Sequence, residues 1–304
     1  MPTIEANGII INYSLTGPSA GELIVLINGL ADDLSSWATQ TSAFEAAGYR
    51  VLTYDNRGIG KTSRPEGPYT ADLLATDLHA LLLALEIKQP FHLMGVSMGG
   101  MIAQQYALIF PNGSEQAKGS RMLSLALCCT YSEPSAFCGR MFELWADMAR
   151  RMSVQDVMRD VTLWAFTVPF FRSRGDELKE VEEGMRGLDM DVPEYLAQLN
   201  VIQKFDSTSA LEGLKREGRV LGNLDEAQKV MVLAGKTDIL IPVQLSREIA
   251  ERVEGSRWVT VKGGHACMWE FPDDFNKACL EFWGSCKVSS PEKGDLGVSG
   301  LKLN

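Results

Sequence analysis

The feature that most constrains the fold is an alternation of short apolar runs with segments of helical periodicity. Residues 23–27 form a continuous apolar run, which is typical of a strand buried on both faces of a sheet. Further along, the pattern predicts a helix over 35–47, a strand over 49–54, a helix over 72–85 and a strand over 91–94. This order implies a mostly parallel sheet with helices on both faces. Ligands are then expected at the carboxyl ends of its strands.

The remaining strands complete the sheet on either side of an interruption. Residues 3–15 read as two short strands around Asn7-Gly8, a dipeptide that suits a tight hairpin turn, so an antiparallel edge hairpin is expected. A helix is predicted from Ser97 to about residue 110. Later strands are predicted over 121–128, 229–234 and 257–261.

The β pattern stops between residues 131 and 214, where large apolar side chains recur at helical spacing. We therefore predict an α/β core formed by residues 1–130 and 215–287, with residues 131–214 inserted as a helical cap. Residues 288–304, with Ser-Ser-Pro and scattered Gly and Lys, are predicted to be a disordered tail.

Composition and charge limit the partners and the location. The net charge of −10 and the lack of a basic run argue against nucleic acid. No stretch approaches the roughly 20 apolar residues of a membrane span, and no signal peptide precedes the first strand, so a cytoplasmic protein is expected. Six cysteines without CxxC spacing are expected to be reduced, and with only three histidines no metal site is predicted.

Residues 95–99 read Gly-Val-Ser-Met-Gly, the G-x-S-x-G pattern, at the passage from an apolar strand into a helix. In that context Ser97 is the predicted nucleophile. Glycine stands two residues before and after it because larger side chains would collide at so sharp a turn. A serine hydroxyl needs a base, and of the three histidines only His265 follows the last predicted strand on a loop. His79 and His92 fall inside a helix and a strand, where structural roles are favoured.

An acid must hold the base in the right tautomer, and Asp238 ends a predicted strand at the same edge. The chain order Ser, Asp, His also favours Asp238. Glu133, just past the strand 121–128, is an alternative for this role.

The rest of the predicted site consists of oxyanion donors and substrate contacts. The backbone N–H groups of Met98 and Leu30 are the predicted oxyanion donors. Most large apolar side chains of the cap are interpreted as its own core, and the predicted substrate contacts are Trp145, Trp164 and Phe166.

Two other features near the site have competing interpretations. Asp32 and Asp33 could give the substrate a polar contact, although solvated turn residues are the favoured interpretation. Residues 58–62 imitate the end of a phosphate-binding loop, but the glycine required five residues before Gly60 is Asp55, which argues against nucleotide binding.

Taken together, these motifs resemble the α/β-hydrolase superfamily over nearly the whole chain. The residues that carry the resemblance are Asn28-Gly29, the run 55–60, the Ser97 elbow, Asp238 and Gly264-His265. The resemblance implies an eight-stranded, mostly parallel sheet, an inserted helical cap, and catalysis without metal or organic cofactor. Asn28-Gly29 replaces the common His-Gly, and residues 28–37 are similar to the enol-lactonase subgroup.

Serine at position 97 argues against the haloalkane dehalogenase and epoxide hydrolase relatives, which attack with an aspartate. The predicted function is hydrolysis of a lactone or small apolar ester through Ser97, His265 and Asp238. The sequence leaves open a C–C bond hydrolase or cofactor-independent lyase with the same triad, and a small-molecule receptor with residual hydrolase activity.

Overall fold

A computed structural model of the chain describes residues 1–110, 122–211 and 229–286. The predicted core boundaries at 215 and 287 and the predicted tail 288–304 lie outside the described residues. Among the residues described, no helix is long and apolar enough to cross a bilayer.

Eight strands form one sheet in the order β1-β2-β4-β3-β5-β6-β7-β8. The first two pairings, β1 with β2 and β2 with β4, are antiparallel, and all the others are parallel. The strands are β1 (Thr3–Ala6), β2 (Ile9–Thr16), β3 (Leu23–Ile27), β4 (Arg50–Tyr54), β5 (Phe91–Val96), β6 (Met122–Cys128), β7 (Val230–Gly235) and β8 (Arg257–Val261).

The hairpin between β1 and β2 turns at Asn7-Gly8 as the sequence predicts. Asn7 has φ 50° and Gly8 has φ 72°, the two positive values that a two-residue hairpin turn needs. The turn brings Ala6 opposite Ile9.

The central strands are buried on both faces, which explains their continuous apolar runs. In β3, Leu23, Val25 and Ile27 contribute to the larger core, whereas Ile24 and Leu26 contribute to a second core on the other face of the sheet. Side chains alternate across a strand, so a helical layer on each face buries one half of each run.

Helices cover both faces and supply the cap. The 3-10 helix η1 spans Leu34–Trp37, and the helices of the core are α1 (Ala38–Ala46), α2 (Ala71–Ala84), α3 (Met98–Ile109), α10 (Val243–Arg252), α11 (Cys267–Glu270) and α12 (Pro272–Ser285). The helices between β6 and β7 are α4 (Ala136–Ala149), α5 (Val154–Ala165), α6 (Val168–Ser173), α7 (Gly175–Arg186), α8 (Val192–Lys204) and α9 (Thr208–Leu211).

These helices between β6 and β7 form the cap, for which we use residues 131–211. Within it α4 packs on α8 and α5 packs on α7, while α8 also contacts α3 of the core. Ser135 and Ser153 cap the first turns of α4 and α5 by accepting hydrogen bonds from N–H groups of those helices. Ala266, in the loop after β8, donates its N–H to Ala165 O of α5, so the cap lies against the carboxyl edge of the sheet, where ligands bind in parallel-sheet proteins.

Candidate active site

Ser97 lies at the sharp turn between β5 and α3. Its backbone is held at φ 57° and ψ −121°, a conformation that residues with a side chain rarely adopt. Hydrogen bonds fix it there: the Ser97 N–H donates to Cys128 O at 2.9 Å, and Ser97 O accepts from Gly100 N–H and Thr130 Oγ1, each at 2.9 Å. Because these hydrogen bonds hold the strained backbone in place, the Ser97 hydroxyl projects from a fixed position.

The glycines of the elbow are required by close backbone contacts. A Cβ added at Gly95 would lie 2.0 Å from Gly99 O, and one added at Gly99 would lie 2.2 Å from Ile27 O. Because these neighbours are backbone atoms, they cannot move aside cheaply. The steric reason inferred from the sequence thus applies at both positions.

His265 and Asp238 meet at the ends of β8 and β7. The His265 Nδ1 lies 2.8 Å from Asp238 Oδ2, and the Asp238 side chain is fully buried. Asp238 Oδ1 accepts the N–H of Ile241 at 2.9 Å, so both carboxylate oxygens are engaged. Since Nδ1 donates to the carboxylate, Nε2 is the ring nitrogen left to act as a base.

The alternative acid and the other histidines lie elsewhere. Glu133 is an exposed residue where the cap begins, whereas Asp238 is the carboxylate that is hydrogen-bonded to His265. His79 stacks on Phe110 with ring centroids 3.9 Å apart. His92 is buried in β5 with Nδ1 2.7 Å from Ser124 Oγ.

The loop after β3, residues 28–37, is tied together by Asn28. This residue is 1% exposed, and its amide donates to Ser36 Oγ at 2.9 Å and to Asp33 O, while its Oδ1 accepts from Trp37 Nε1 at 3.1 Å. The asparagine that replaces the common histidine thus bridges both ends of the loop.

Two buried side chains from outside the β3 loop fix its backbone. Asp55 Oδ1 accepts the Leu34 N–H at 2.8 Å. Gln198, on cap helix α8, accepts the Ala31 N–H at 3.0 Å and donates to Arg57 O at 2.9 Å. Gln198 was not singled out from the sequence, because a polar residue within a helix carries no signal of a partner far away in the chain.

The run 55–60 forms a turn around a carboxylate. Asp55 Oδ2 accepts from Asn12 Nδ2 at 2.6 Å and from the Lys61 N–H at 3.0 Å. A Cβ at Gly60 would lie 2.3 Å from Asp55 Oδ2, so the glycine makes room for that carboxylate. The carboxylate that stands at the position of the required glycine therefore lies at the centre of this turn.

The predicted oxyanion donors flank Ser97. Met98 is the first residue of α3, where intrahelical bonding leaves N–H groups free. Leu30 lines the same cavity as Ser97, and a Cβ at the preceding Gly29 would lie 3.6 Å from Ser97 Cβ. The β3 loop thus passes beside the nucleophile, as an oxyanion hole requires.

A single cavity, here the site cavity, brings these groups together between the core and the cap. Apart from Ser97, His265, Asp32 and Thr162, its lining is apolar or glycine. It is lined by Gly29, Leu30, Asp32, Val96, Ser97, Met101, Phe142, Trp145, Met158, Val161, Thr162, Ala165, Phe166, Met185, Ile202, Leu240, Ile241, His265, Met268 and Trp269.

Of the three predicted substrate contacts, Trp145 and Phe166 line the site cavity and Trp164 does not. Trp164 packs on Phe137 with ring centroids 6.1 Å apart, and this placement corrects its predicted role. The reason is helical phase: α5 presents residues 158, 161, 162 and 165 to the cavity, and position 164 lies outside that stripe.

Trp269 and Ile241 also line the cavity and were not predicted. Their short distance in sequence from His265 and Asp238 is the signal that could have identified them.

The two adjacent carboxyl groups of the β3 loop have different surroundings. Asp33 caps η1, with Oδ1 accepting the Ser35 N–H at 2.8 Å. Asp32 lines the site cavity, and burial, with a contribution from the negative charge of Asp33, raises its pKa to about 7. His265 opposes that rise.

Cys129, Asp238 and His265 each offer an atom that could bind a metal, all within 4.8 Å of one another. The Asp238 and His265 atoms already bond to each other. The hydrogen bond of the Cys129 thiol to Cys267, together with burial, raises the pKa of Cys129 well above its usual value. A metal would need the thiolate, so the group fits a hydrogen-bonded pair better than a metal site.

This strand order defines an α/β protein that carries a serine at the β5–α3 elbow and a hydrogen-bonded Asp–His pair at the ends of β7 and β8. The model of the family described as the α/β hydrolase fold matches residues 22–272, and the chain belongs to this family. The fold predicted from the sequence motifs is confirmed.

Individual relatives are similar at low identity over nearly the full length. A Mycobacterium tuberculosis protein with the provisional name non-heme bromoperoxidase BpoC is 28% identical, covering 91% of this chain and 100% of its own. The 3-oxoadipate enol-lactonase 2 of Acinetobacter baylyi is 27% identical, covering 91% of this chain and 94% of its own. The crystal structure of an enol-lactonase from Burkholderia xenovorans has a TM-score of 0.76 at 26% identity, covering 93% of this chain and all of that one.

Proposed function

We propose that the protein is a serine hydrolase that cleaves carboxylic esters, with a lactone or a small, largely apolar ester as substrate. The observation that carries this proposal is that His265, whose Nδ1 lies 2.8 Å from Asp238 Oδ2, lines the same cavity as Ser97 at its elbow. The similarity to enol-lactonases at 27% and 26% identity supports the ester class.

The reaction begins with attack on the substrate carbonyl. Ser97 Oγ adds to the carbonyl carbon while His265 Nε2 takes the hydroxyl proton, and Asp238 stabilises the imidazolium that forms. The N–H groups of Met98 and Leu30 stabilise the negative oxygen of the tetrahedral intermediate. His265 then returns the proton to the leaving alcohol oxygen, which leaves an acyl-enzyme.

Water completes the cycle. His265 deprotonates a water molecule that attacks the acyl carbon. The second tetrahedral intermediate then collapses to the acid as His265 returns that proton to Ser97 Oγ. With a lactone the leaving alcohol stays attached to the acyl group, so the product is one open-chain hydroxy acid.

The lining of the site cavity favours an apolar substrate. Side chains from the cap and the core, such as Trp145, Phe166 and Met158, can bury the apolar surface of a ligand while few polar groups compete for it. The residues of α5 that face the cavity and the aromatic rings around them limit the size of the ligand that fits.

A substrate panel tests the proposal. Purified wild type and Ser97→Ala are compared on p-nitrophenyl esters, aliphatic and aromatic lactones, and β-diketones. We expect ester or lactone turnover in the wild type and its loss in Ser97→Ala, with intact folding of the variant shown by circular dichroism. Equal turnover by the two proteins would contradict the mechanism, and turnover of diketones alone would replace it with C–C bond hydrolysis.

A further inference from the structure

Asp32 stands at the junction of two cavities. It lines the site cavity together with Met185 and Trp269, and the same three residues line a second groove that opens to solvent between cap helix α7 and the β3 loop. A substrate that enters from this groove must pass the Asp32 carboxyl group. Asp32 is therefore placed to select what reaches Ser97.

The Asp32 carboxyl group lies near the nucleophile. A Cβ added at Gly29 would lie 3.1 Å from Asp32 Oδ2 and 3.6 Å from Ser97 Cβ, so one small glycine separates the two side chains. A group bound to Asp32 would therefore sit a few bonds from the carbonyl attacked by Ser97.

Within the described residues, the Asp32 carboxyl group has no hydrogen bond and no ion pair. Asp33, Asp55 and Asp238 each accept at least one N–H, and these three serve the structure of the loops. Asp32 is half-buried, and a carboxylate that is partly withdrawn from water without a partner in the protein is better explained by a ligand than by stability.

The surroundings of Asp32 lack positive charge. No Lys or Arg is among the residues that line the site cavity or the groove within the described parts of the chain. Asp33 is the neighbouring negative charge, and His265 is the one group in the cavity that becomes positive when protonated. The face of α7 toward the groove is uncharged, since the helix contributes Val181, Gly184 and Met185, and Leu188 follows just after it.

Aromatic rings line the same cavities as this carboxyl group. Trp269 shares both cavities with Asp32, and it stacks on Phe166 with ring centroids 6.2 Å apart. An aromatic face attracts a cation, most strongly where water is excluded. One carboxylate next to aromatic rings, without a competing cation, is the combination that recognises an ammonium group.

We propose that Asp32 is a specificity-determining residue and that the preferred substrates are esters or lactones bearing an ammonium group close to the scissile carbonyl. Substrates with a free carboxylate at that position are rejected by repulsion. This inference rests on the proposed hydrolase function, because it names the substrate class of the same site.

The preference should depend on pH with a known sign. The pKa of Asp32 is raised to about 7, mainly by burial and further by Asp33. Below that pH the group is neutral and attracts no cation; above it the carboxylate is charged, so the preference for a cationic substrate rises with pH. The ratio of kcat/KM for two esters cancels the pH dependence of the catalytic steps that both substrates share.

The test uses three p-nitrophenyl esters of equal acyl length, ending in a trimethylammonium, a tert-butyl or a carboxylate group. Wild type, Asp32→Asn and Asp33→Asn are assayed from pH 6 to pH 8, and binding of each ester to Ser97→Ala and to Ser97→Ala/Asp32→Asn is measured by calorimetry. The tert-butyl ester matches the trimethylammonium ester in shape and lacks its charge.

We expect the wild type to favour the trimethylammonium ester over the tert-butyl ester about tenfold at pH 8, a modest effect for a partly desolvated charge pair. Asp32→Asn should abolish this ratio. Asp33→Asn, the matched control, should keep the tenfold ratio at pH 8. The pH midpoint of the ratio should move downward, because removal of the negative charge of Asp33 lowers the pKa of Asp32.

The outcomes separate the two proposals. If the tert-butyl ester is turned over through Ser97 and the ratio is near one in both the wild type and Asp32→Asn, the role of Asp32 is overturned and the hydrolase function stands. If no ester is turned over, the hydrolase function fails. Calorimetry then decides on Asp32, because equal binding of the two esters to Ser97→Ala would overturn its role as well.

Discussion

The carboxyl edge of the sheet and the cap both line the site cavity, but they position their groups in different ways. At the sheet edge, backbone contacts hold Ser97 and a buried hydrogen bond holds His265 against Asp238. In the cap, one stripe of α5 faces the cavity through the packing of apolar side chains. We infer that changes at the edge act on kcat or on folding, while changes in the cap act mainly on KM.

The largest expected effect is that of Asp238→Asn. The amide offers His265 the wrong hydrogen-bonding partner and favours the wrong tautomer, so kcat should fall by about 10⁴-fold with KM little changed. Kinetics on the best ester of the panel measure this. Glu133→Gln is the control, and a comparable loss in that variant would return the acid's role to Glu133.

A smaller but still large effect on stability is expected for Gly99→Ala. The added Cβ would lie 2.2 Å from Ile27 O, so the elbow must distort, at a cost of about 3 kcal/mol or more in the free energy of unfolding. Gly139→Ala, in cap helix α4 with nothing within 4 Å of the added Cβ, should stabilise by up to about 1 kcal/mol. Urea titration measures the free energy of unfolding of both variants. Equal changes would contradict the inferred difference between the sheet edge and the cap.

Gln198→Leu tests a point where the cap reaches the β3 loop at the sheet edge. It leaves the Ala31 N–H and Arg57 O without their buried partner, which should loosen the β3 loop and lower kcat about tenfold. Gln155→Leu, which removes a bond to Leu188 O inside the cap, should leave kcat unchanged. If KM alone rises in Gln198→Leu, the residue acts like the rest of the cap and positions no catalytic donor.

The smallest effect is expected from a matched pair of cap tryptophans. Trp145 Nε1 and Trp164 Nε1 both donate to Asp160 Oδ2, at 3.0 and 3.3 Å, but only Trp145 lines the cavity. Each change to Phe loses the same kind of hydrogen bond. Trp145→Phe should therefore raise KM about threefold through lost contact area, and Trp164→Phe should not. Equal KM values would show that the substrate does not touch this wall.

Local patterns explain why the fold and the edge of the site were predictable. The hairpin at Asn7-Gly8, the buried run Leu23–Ile27 and the elbow at Ser97 each depend on backbone geometry that a few neighbouring residues determine. Because parallel strands end at one edge, Asp238 and His265 could be placed near Ser97 without knowledge of their contacts.

The cap was predictable as a helical region, but its inward-facing residues were not. Trp164 and Trp145 are equally large and apolar, and only the rotation of α5 and α4 on the sheet sends one into the cavity. Likewise Asp32 and Asp33 are adjacent and chemically identical, yet one lines the cavity and the other caps η1.

The sequence by itself therefore determined the alternating α/β architecture, the elbow and the candidate Ser, His and Asp, because these follow from short-range periodicity, sterics and chain order. The tertiary structure alone decided which carboxyl group faces the cavity, which tryptophan lines it, and that Gln198 of the cap holds the β3 loop. Those outcomes depend on the packing of segments that lie far apart in the chain, and no local pattern records such packing.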